Sequence, residues 1–200
     1  MMTRLLIYTI AFWTGFSVMV VEMLSGKLLA PYFGNGIYVW GAIITVFMMA
    51  LSLGYLLGGR WSLHHPNIRK LAAILCVAAV LNLPIVFFSE SVMNWLFDNV
   101  TDPRYGSLLA STLLFFMPTA VAGMASPYAL RLLTHQHQMS GNTAGVLYFV
   151  STLGSALGTI LASFHLVLWF ELDQLFLGLT AISLTLGLPV ALKGDPNDAK

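Results

Sequence analysis

Six long apolar runs constrain this chain more than any other feature of its sequence. A helix needs about twenty apolar residues to cross the hydrocarbon core of a bilayer. Polar residues or clusters of Gly and Pro separate the runs, and they predict turns at 30–36, 64–67 and 140–142. The runs lie at 5–25, 37–58, 69–89, 107–130, 143–168 and 174–192. We therefore predict an all-α membrane protein with six transmembrane helices.

The composition leaves little room for a soluble domain. Of the 200 residues, 58% are hydrophobic and 8% are charged, whereas soluble domains average about 25% charged residues. The mean hydropathy is +0.83. We predict that 1–192 form the transmembrane domain and that 193–200 form a short, disordered cytoplasmic tail. The first run carries Glu22 and lacks a small-x-small cleavage site, so we expect a retained helix rather than a signal peptide.

Several functional classes are disfavoured by the same sequence. The net charge is +1 and the basic residues are scattered among short loops, so we expect no binding of nucleic acid. No nucleotide-binding glycine motif, nucleophile elbow or zinc-protease helix is found. The single cysteine, Cys76, and the histidine pairs 64–65 and 135–137 lack the partners of a specific metal site. We expect no catalytic residue, no metal and no cofactor.

The distribution of Lys and Arg predicts the orientation in the membrane, because basic residues resist translocation. An N-terminus inside the cell places seven basic residues on the cytoplasmic side and two on the outer side. The cytoplasmic group is Arg4, Arg60, Arg69, Lys70, Arg131, Lys193 and Lys200, and the outer pair is Lys27 and Arg104. We therefore predict that both termini are cytoplasmic, in the inner (cell) membrane of a bacterium.

Glu22 is the strongest single candidate for a functional residue. A carboxylate within an apolar span costs several kcal/mol unless it is paired, protonated or hydrated, so Glu22 should face the bundle interior. It is either a site for a proton or cation, or a structural partner of Lys27, five residues later, or of a neighbouring helix. The sequence does not decide between these two hypotheses.

Two arginines end spans at the predicted cytoplasmic face. Arg60 follows a glycine-rich turn, and Arg131 follows Pro127 and Tyr128. Each is either a charge that snorkels to the membrane surface or a gating contact between helices. Asn82, with the prolines of the third and fourth spans, predicts kinks of the kind that occur at cavities.

Small residues recur at four-residue spacing in the fifth span. Such a face lets two helices approach closely in lipid. It indicates either helix packing or the wall of a substrate path. The residues are Gly141, Gly145, Ser151, Gly154, Ser155, Gly158 and Ala162.

Two stretches of the sequence are informative when they are taken together. The first comprises 16–34 (FSVMVVEMLSGKLLAPYFG), 38–40 (YVW) and 53–60 (LGYLLGGR), and the second is 141–159 (GNTAGVLYFVSTLGSALGT). They resemble the membrane domain of spermidine-synthase-like proteins, the fused major-facilitator/spermidine-synthase family, and the second stretch is similar to the glycine-rich fifth helix of that domain. The family commonly has arginine where this chain has Lys27, which keeps the charge but loses the bidentate geometry.

The resemblance implies a six-helix bundle related to half of the major facilitator fold. A homodimer would then complete a site that lies between two bundles. The soluble aminopropyltransferase domain that usually follows in the family has no counterpart within these 200 residues. Aminopropyl transfer is therefore not expected of this chain.

We expect a transporter-like bundle that binds or moves a small metabolite, cationic and polyamine-like, as a homodimer. Glu22 and Lys27 would contact this ligand, with Trp13, Tyr38 and Trp40 as aromatic walls for a cation. The alternative is a membrane anchor for a separately encoded, aminopropyltransferase-like soluble partner, which would bind the loops 59–70 and 131–142. An enzyme acting on a lipid-soluble substrate is a weaker third hypothesis, because no constellation supports it.

Overall fold

The computed structural model describes residues 2–134 and 140–192. This part of the chain is helical and contains no strand. Its helices are α1 (Met2–Phe33), α2 (Ile37–Trp61), α3 (Ile68–Leu81), α4 (Leu83–Asn99), α5 (Pro103–Gly123), α6 (Ala125–Thr134), α7 (Ser140–Leu161), a π-helical turn (Ala162–Leu166), α8 (Val167–Trp169) and α9 (Leu172–Leu192).

These helices form six spans that are long and apolar enough to cross a membrane. The spans, numbered first to sixth, are Thr3–Phe33, Ile37–Trp61, Ile68–Asn99, Pro103–Thr134, Gly141–Trp169 and Leu172–Leu192. Large apolar side chains such as Phe87, Leu113 and Phe149 are more than half exposed, as a lipid-facing surface requires. The predicted class is confirmed: the chain is an all-α, multi-pass integral membrane protein.

Two predicted turns are wrong in their limits. The first helix continues through Pro31 to Phe33, so the turn expected at 30–36 is confined to 34–36. Buried Phe33 packs on Gly106, and this tertiary contact extends the helix beyond its apolar run. The turn expected at 140–142 is instead the beginning of α7, since small and polar residues are acceptable in the first turn of a helix.

The predicted turn at 64–67 is confirmed. Several spans are longer than predicted. The third span reaches Asn99 and is interrupted at Asn82, between α3 and α4. The fourth span is interrupted at Met124, between α5 and α6. His135, His137 and the predicted tail 193–200 lie outside the described residues. The orientation of the spans relative to the cytoplasm stays a prediction.

The first and fifth spans run parallel and pack through glycines. A β-carbon on Gly154 would meet the carbonyl oxygen of Phe12, and one on Gly158 would meet that of Phe16. Gly15 likewise packs against the backbone of Ser151. The glycines at 154 and 158 therefore serve helix packing, which was one of the two predicted roles of this face.

The second and fourth spans pack in the same way. A β-carbon on Gly54 would meet the carbonyl oxygen of Ala120, and one on Gly58 would meet that of Met124. Gly123 packs against the backbone of Leu51. The first span with the fifth, and the second with the fourth, are therefore in backbone contact, and no side chain would fit at the glycines where they touch.

These contacts show that the chain contains an inverted repeat of three spans. The contacts of Gly54 and Gly58 recur 100 positions later at Gly154 and Gly158, while their carbonyl partners shift by 108 positions. The shift of 108 relates Phe12 to Ala120, Phe16 to Met124 and Gly15 to Gly123. First and fourth spans run in opposite directions, so the pseudo-two-fold axis lies in the membrane plane.

The third and sixth spans pack across the same axis. Thr180 donates a hydrogen bond to the Ala79 carbonyl at 3.2 Å, and Gly187 packs on the Ala72 carbonyl. The same shift of 108 positions relates Ala72 to Thr180 and Ala79 to Gly187. The repeat symmetry therefore maps the contact between Ala79 and Thr180 onto the contact between Gly187 and Ala72. All three helix pairs therefore obey one symmetry.

Candidate functional site

A groove rich in hydroxyl groups opens between the second, fourth and fifth spans. Its volume is about 320 Å³. Six of the seven residues that line it carry a hydroxyl group, and the seventh is a proline. The lining residues are Tyr55, Ser126, Pro127, Tyr148, Ser151, Thr152 and Ser155. We call this feature the central groove.

The deep end of the central groove lies on the pseudo-two-fold axis. A further space of about 80 Å³ continues inward from Tyr55, Ser126, Ser151 and Ser155. Ten of its lining residues form five pairs related by the repeat. These pairs are Thr14 with Ala122, Gly15 with Gly123, Val18 with Ser126, Leu51 with Ser151, and Tyr55 with Ser155. The axis therefore passes through the groove, midway between the repeats.

The hydroxyl groups of the groove divide into two sets. Ser155 donates within the protein, to the carbonyls of Gly15 and Ser151 at 3.2 Å each. Within the described residues, the other five hydroxyls have no hydrogen-bond partner and can bind water or a polar ligand. They belong to Tyr55, Ser126, Tyr148, Ser151 and Thr152.

The groove widens at the predicted cytoplasmic end of the bundle. A space of about 610 Å³ shares Pro127 with the groove and is also lined by Ser62, Arg131, Thr134 and Gly141. Arg131 lines this entrance, where the sequence allowed a gating contact. Arg60 is exposed in the last turn of α2 and is not among the lining residues.

Glu22 does not line the central groove. Its side chain is partly buried, and among the described residues its carboxylate has no hydrogen-bond or ion-pair partner. The ammonium group of Lys27 donates instead to the Val167 carbonyl at 2.8 Å. The predicted structural pairing of Glu22 with Lys27 is therefore wrong, because the Lys27 ammonium group binds the Val167 carbonyl, just after the π-helical turn.

Helix register places Glu22 beside that π-helical turn. Two contacts join residues that are 140 positions apart in the parallel first and fifth spans: Ser155 with Gly15, and Lys27 with Val167. The same spacing puts Glu22 level with Ala162, where the turn begins. Such turns often accompany functional sites. This position agrees with a functional role for Glu22, which stays a prediction.

The three predicted aromatic walls do not come together around Glu22. Trp13 stacks on Phe16 and donates to the Ser183 hydroxyl at 2.8 Å, on the sixth span. Tyr38 lies over Gly36 in its own turn. The Trp40 ring packs on Gly26, one helical turn after Glu22.

Trp40 is held at the outer end of the first span by two contacts. Its indole N–H donates to the Asn35 amide oxygen at 3.0 Å. A β-carbon on Gly26 would lie 2.6 Å from the Trp40 ring, so a larger residue there would have to displace the ring. These contacts give Trp40 a structural role in joining the first two spans.

Sequence reasoning missed most of the central groove. It singled out Ser151 and Ser155 as members of a small-residue face, but not Tyr55, Ser126, Tyr148 or Thr152. Ser, Thr and Tyr are common in membrane helices, where they bond to backbone carbonyls. Their number therefore gives no signal until the helix pairing is known.

No protein-family model, curated protein or solved structure matches this chain.

Because Lys27 bonds to Val167 rather than to Glu22, we expect the variants Glu22→Gln and Lys27→Met to be independent. Their effects on the free energy of unfolding should add within about 0.5 kcal/mol, as for residues without a shared partner. Chemical unfolding of both single variants and the double variant in detergent measures this. Lys27→Arg, which retains a donor, is the control. If the double variant is more stable than Glu22→Gln alone, Glu22 and Lys27 do form an ion pair, and the expectation of independence is wrong.

Proposed function

We propose that this integral membrane protein transports a small polar metabolite through the central groove. The observation that carries the proposal is the position of the groove on the axis between two inverted repeats. In proteins built this way, two alternative conformations of the repeats expose one site to the two sides of the membrane in turn. The entrance at Arg131 would be the open side.

The groove favours a ligand that is neutral or negatively charged. Among the described residues that line the groove and its entrance, Arg131 is the one charged side chain. A polyamine would need carboxylates to compensate its charges in a desolvated site, and Glu22 is outside the groove. The lack of carboxylates among these lining residues argues against the polyamine-like ligand expected from the sequence, although Tyr55 and Tyr148 offer aromatic faces.

We further propose that a second copy of the chain covers the groove. Tyr55 and Tyr148 are 48% and 53% exposed, and their unpaired hydroxyls would otherwise face lipid, which is unfavourable. The arrangement of two bundles around a central site agrees with the half-major-facilitator architecture implied by the resemblance. The symmetric assembly would place one groove opposite the other.

Transport is tested with proteoliposomes that contain only this chain. They should take up at least one compound from a mixture of sugars, amino acids, organic acids and polyamines, detected by mass spectrometry. Ser126→Ala and Tyr148→Phe should each slow uptake by about two- to tenfold, the value of one hydrogen bond. Tyr105→Phe, which alters an exposed hydroxyl outside the groove, should have no effect.

Two outcomes would contradict the proposal. If no compound enters, the anchor hypothesis with its contact loops at 59–70 and 131–142 takes precedence. If uptake occurs but is equal in all three variants, transport uses another route. In nanodiscs, each particle should contain two copies of the chain. If particles with a single chain are active, the proposal that a second copy covers the groove is wrong.

A further inference from the structure

A second cavity lies inside the bundle, on the other side of the first and fourth spans from the central groove. Its volume is about 30 Å³, which is enough for a water molecule or a small ion. Thr14, Val18 and Ala122 line both this cavity and the deep end of the groove. We call it the inner cavity.

Two polar atoms in the wall of the inner cavity lack partners. The Ser17 hydroxyl and the Asn82 side-chain oxygen are buried, and neither makes a hydrogen bond in the described part of the chain. Buried polar groups are nearly always satisfied in native proteins. An occupant of the cavity would satisfy both atoms.

Two irregular helix positions line the inner cavity. Asn82 interrupts the third span between α3 and α4. Pro118 has no N–H, so the helix around it lacks one backbone hydrogen bond. Helix interruptions near the middle of a membrane commonly serve to coordinate ions.

Two of the other hydroxyls that line the cavity, those of Thr14 and Ser183, have already donated their protons. Thr14 donates to the Ile10 carbonyl at 2.8 Å. Ser183 donates to the Leu179 carbonyl at 2.7 Å and accepts from Trp13. The oxygens of Thr14 and Ser183 can therefore offer only lone pairs to an occupant, as the Asn82 oxygen does.

We propose that the inner cavity binds a sodium ion. Oxygen atoms are the ligands that hard cations prefer, and the cavity offers oxygens of Ser, Thr and Asn side chains. Every described residue that lines the cavity is uncharged, so nothing there balances a second positive charge, and a monovalent ion fits better than a divalent one. The volume of about 30 Å³ is enough for a small, dehydrated ion. This site is independent of the substrate proposed for the groove.

The test uses the whole protein in detergent with sodium chloride as the probe, without any substrate. Sodium ions should raise the melting temperature in a saturable way when choline chloride keeps the ionic strength constant. Potassium chloride should give a smaller rise. Ser17→Ala should increase the sodium concentration at half-effect by about tenfold or more, the value of one ligand to a charged group.

Ser111→Ala is the matched control. Ser111 also has a buried hydroxyl without a partner, but it does not line the inner cavity. This variant should keep the sodium response of the unaltered protein. Asn82→Ala should lose that response; if it fails to fold, Ser17→Ala decides alone.

Three results would overturn the proposal. The first is an equal effect of sodium and choline, which would leave water as the occupant. The second is a sodium response that Ser17→Ala does not weaken. The third is an equal weakening in Ser111→Ala, because the effect would then come from the loss of any buried hydroxyl.

Discussion

Replacement of Gly154 by valine is expected to destabilise the protein by about 3 kcal/mol or more, the upper range for an overpacked core. The side chain at this position would overlap the Phe12 carbonyl. A backbone atom cannot move aside as a flexible side chain can, so the first and fifth spans would have to separate. Denaturant unfolding in detergent, followed by circular dichroism, measures the loss.

The repeat supplies a second variant and the same helix supplies a control. Gly54→Val should cost a similar free energy, because its side chain would overlap the Ala120 carbonyl. Gly145→Val lies on the same helix as Gly154 but has open space around it. It should be neutral or slightly stabilising, since valine has the higher helix propensity. Equal stability of Gly145→Val and Gly154→Val would refute the helix register.

The six spans were predictable because hydropathy reports burial in lipid directly. Their ends were less so, because packing contacts extend helices beyond their apolar runs, as Phe33 on Gly106 does. The interruption at Asn82 was expected from the sequence. The π-helical turn at Ala162–Leu166 was not, since no residue type marks such a turn.

The inverted repeat leaves one short trace in the sequence. The segment 53–58 reads LGYLLG and 153–158 reads LGSALG, and these glycines make equivalent contacts. Around them the two repeats share few residues, because each helix faces different neighbours and packing fixes only the positions where backbones touch. The repeat becomes evident once those contacts are known.

The candidate site shows why residue chemistry alone was a poor guide to location. Glu22 stood out because a carboxylate in a span is costly, but which neighbour it faces depends on helix pairing. Trp13 was expected near a ligand, whereas its indole N–H bonds to Ser183 across the bundle. The groove instead combines ordinary Tyr and Ser residues from three spans, and no single span identifies it.

A covalent bridge across the central groove is expected to abolish transport, and reduction should restore it to the level of the unbridged double-cysteine variant. Tyr55 on α2 and Tyr148 on α7 line the groove from the two repeats. Cysteines at both positions, with Cys76 replaced by alanine, can be joined by a bifunctional methanethiosulfonate. If the groove must close here when it opens to the other side, the bridge holds the repeats in one arrangement.

A bridge between cysteines at Phe87 and Ser91 is the matched control. Both residues are exposed and lie one turn apart on α4, so the link cannot restrain one helix against another. Uptake should survive this bridge and fall to background with the bridge at Tyr55 and Tyr148. Full uptake with a complete bridge across the groove would mean that this end does not close. The hydroxyl groups there would then line a static cavity, and transport would have to follow another route past Glu22 and the π-helical turn.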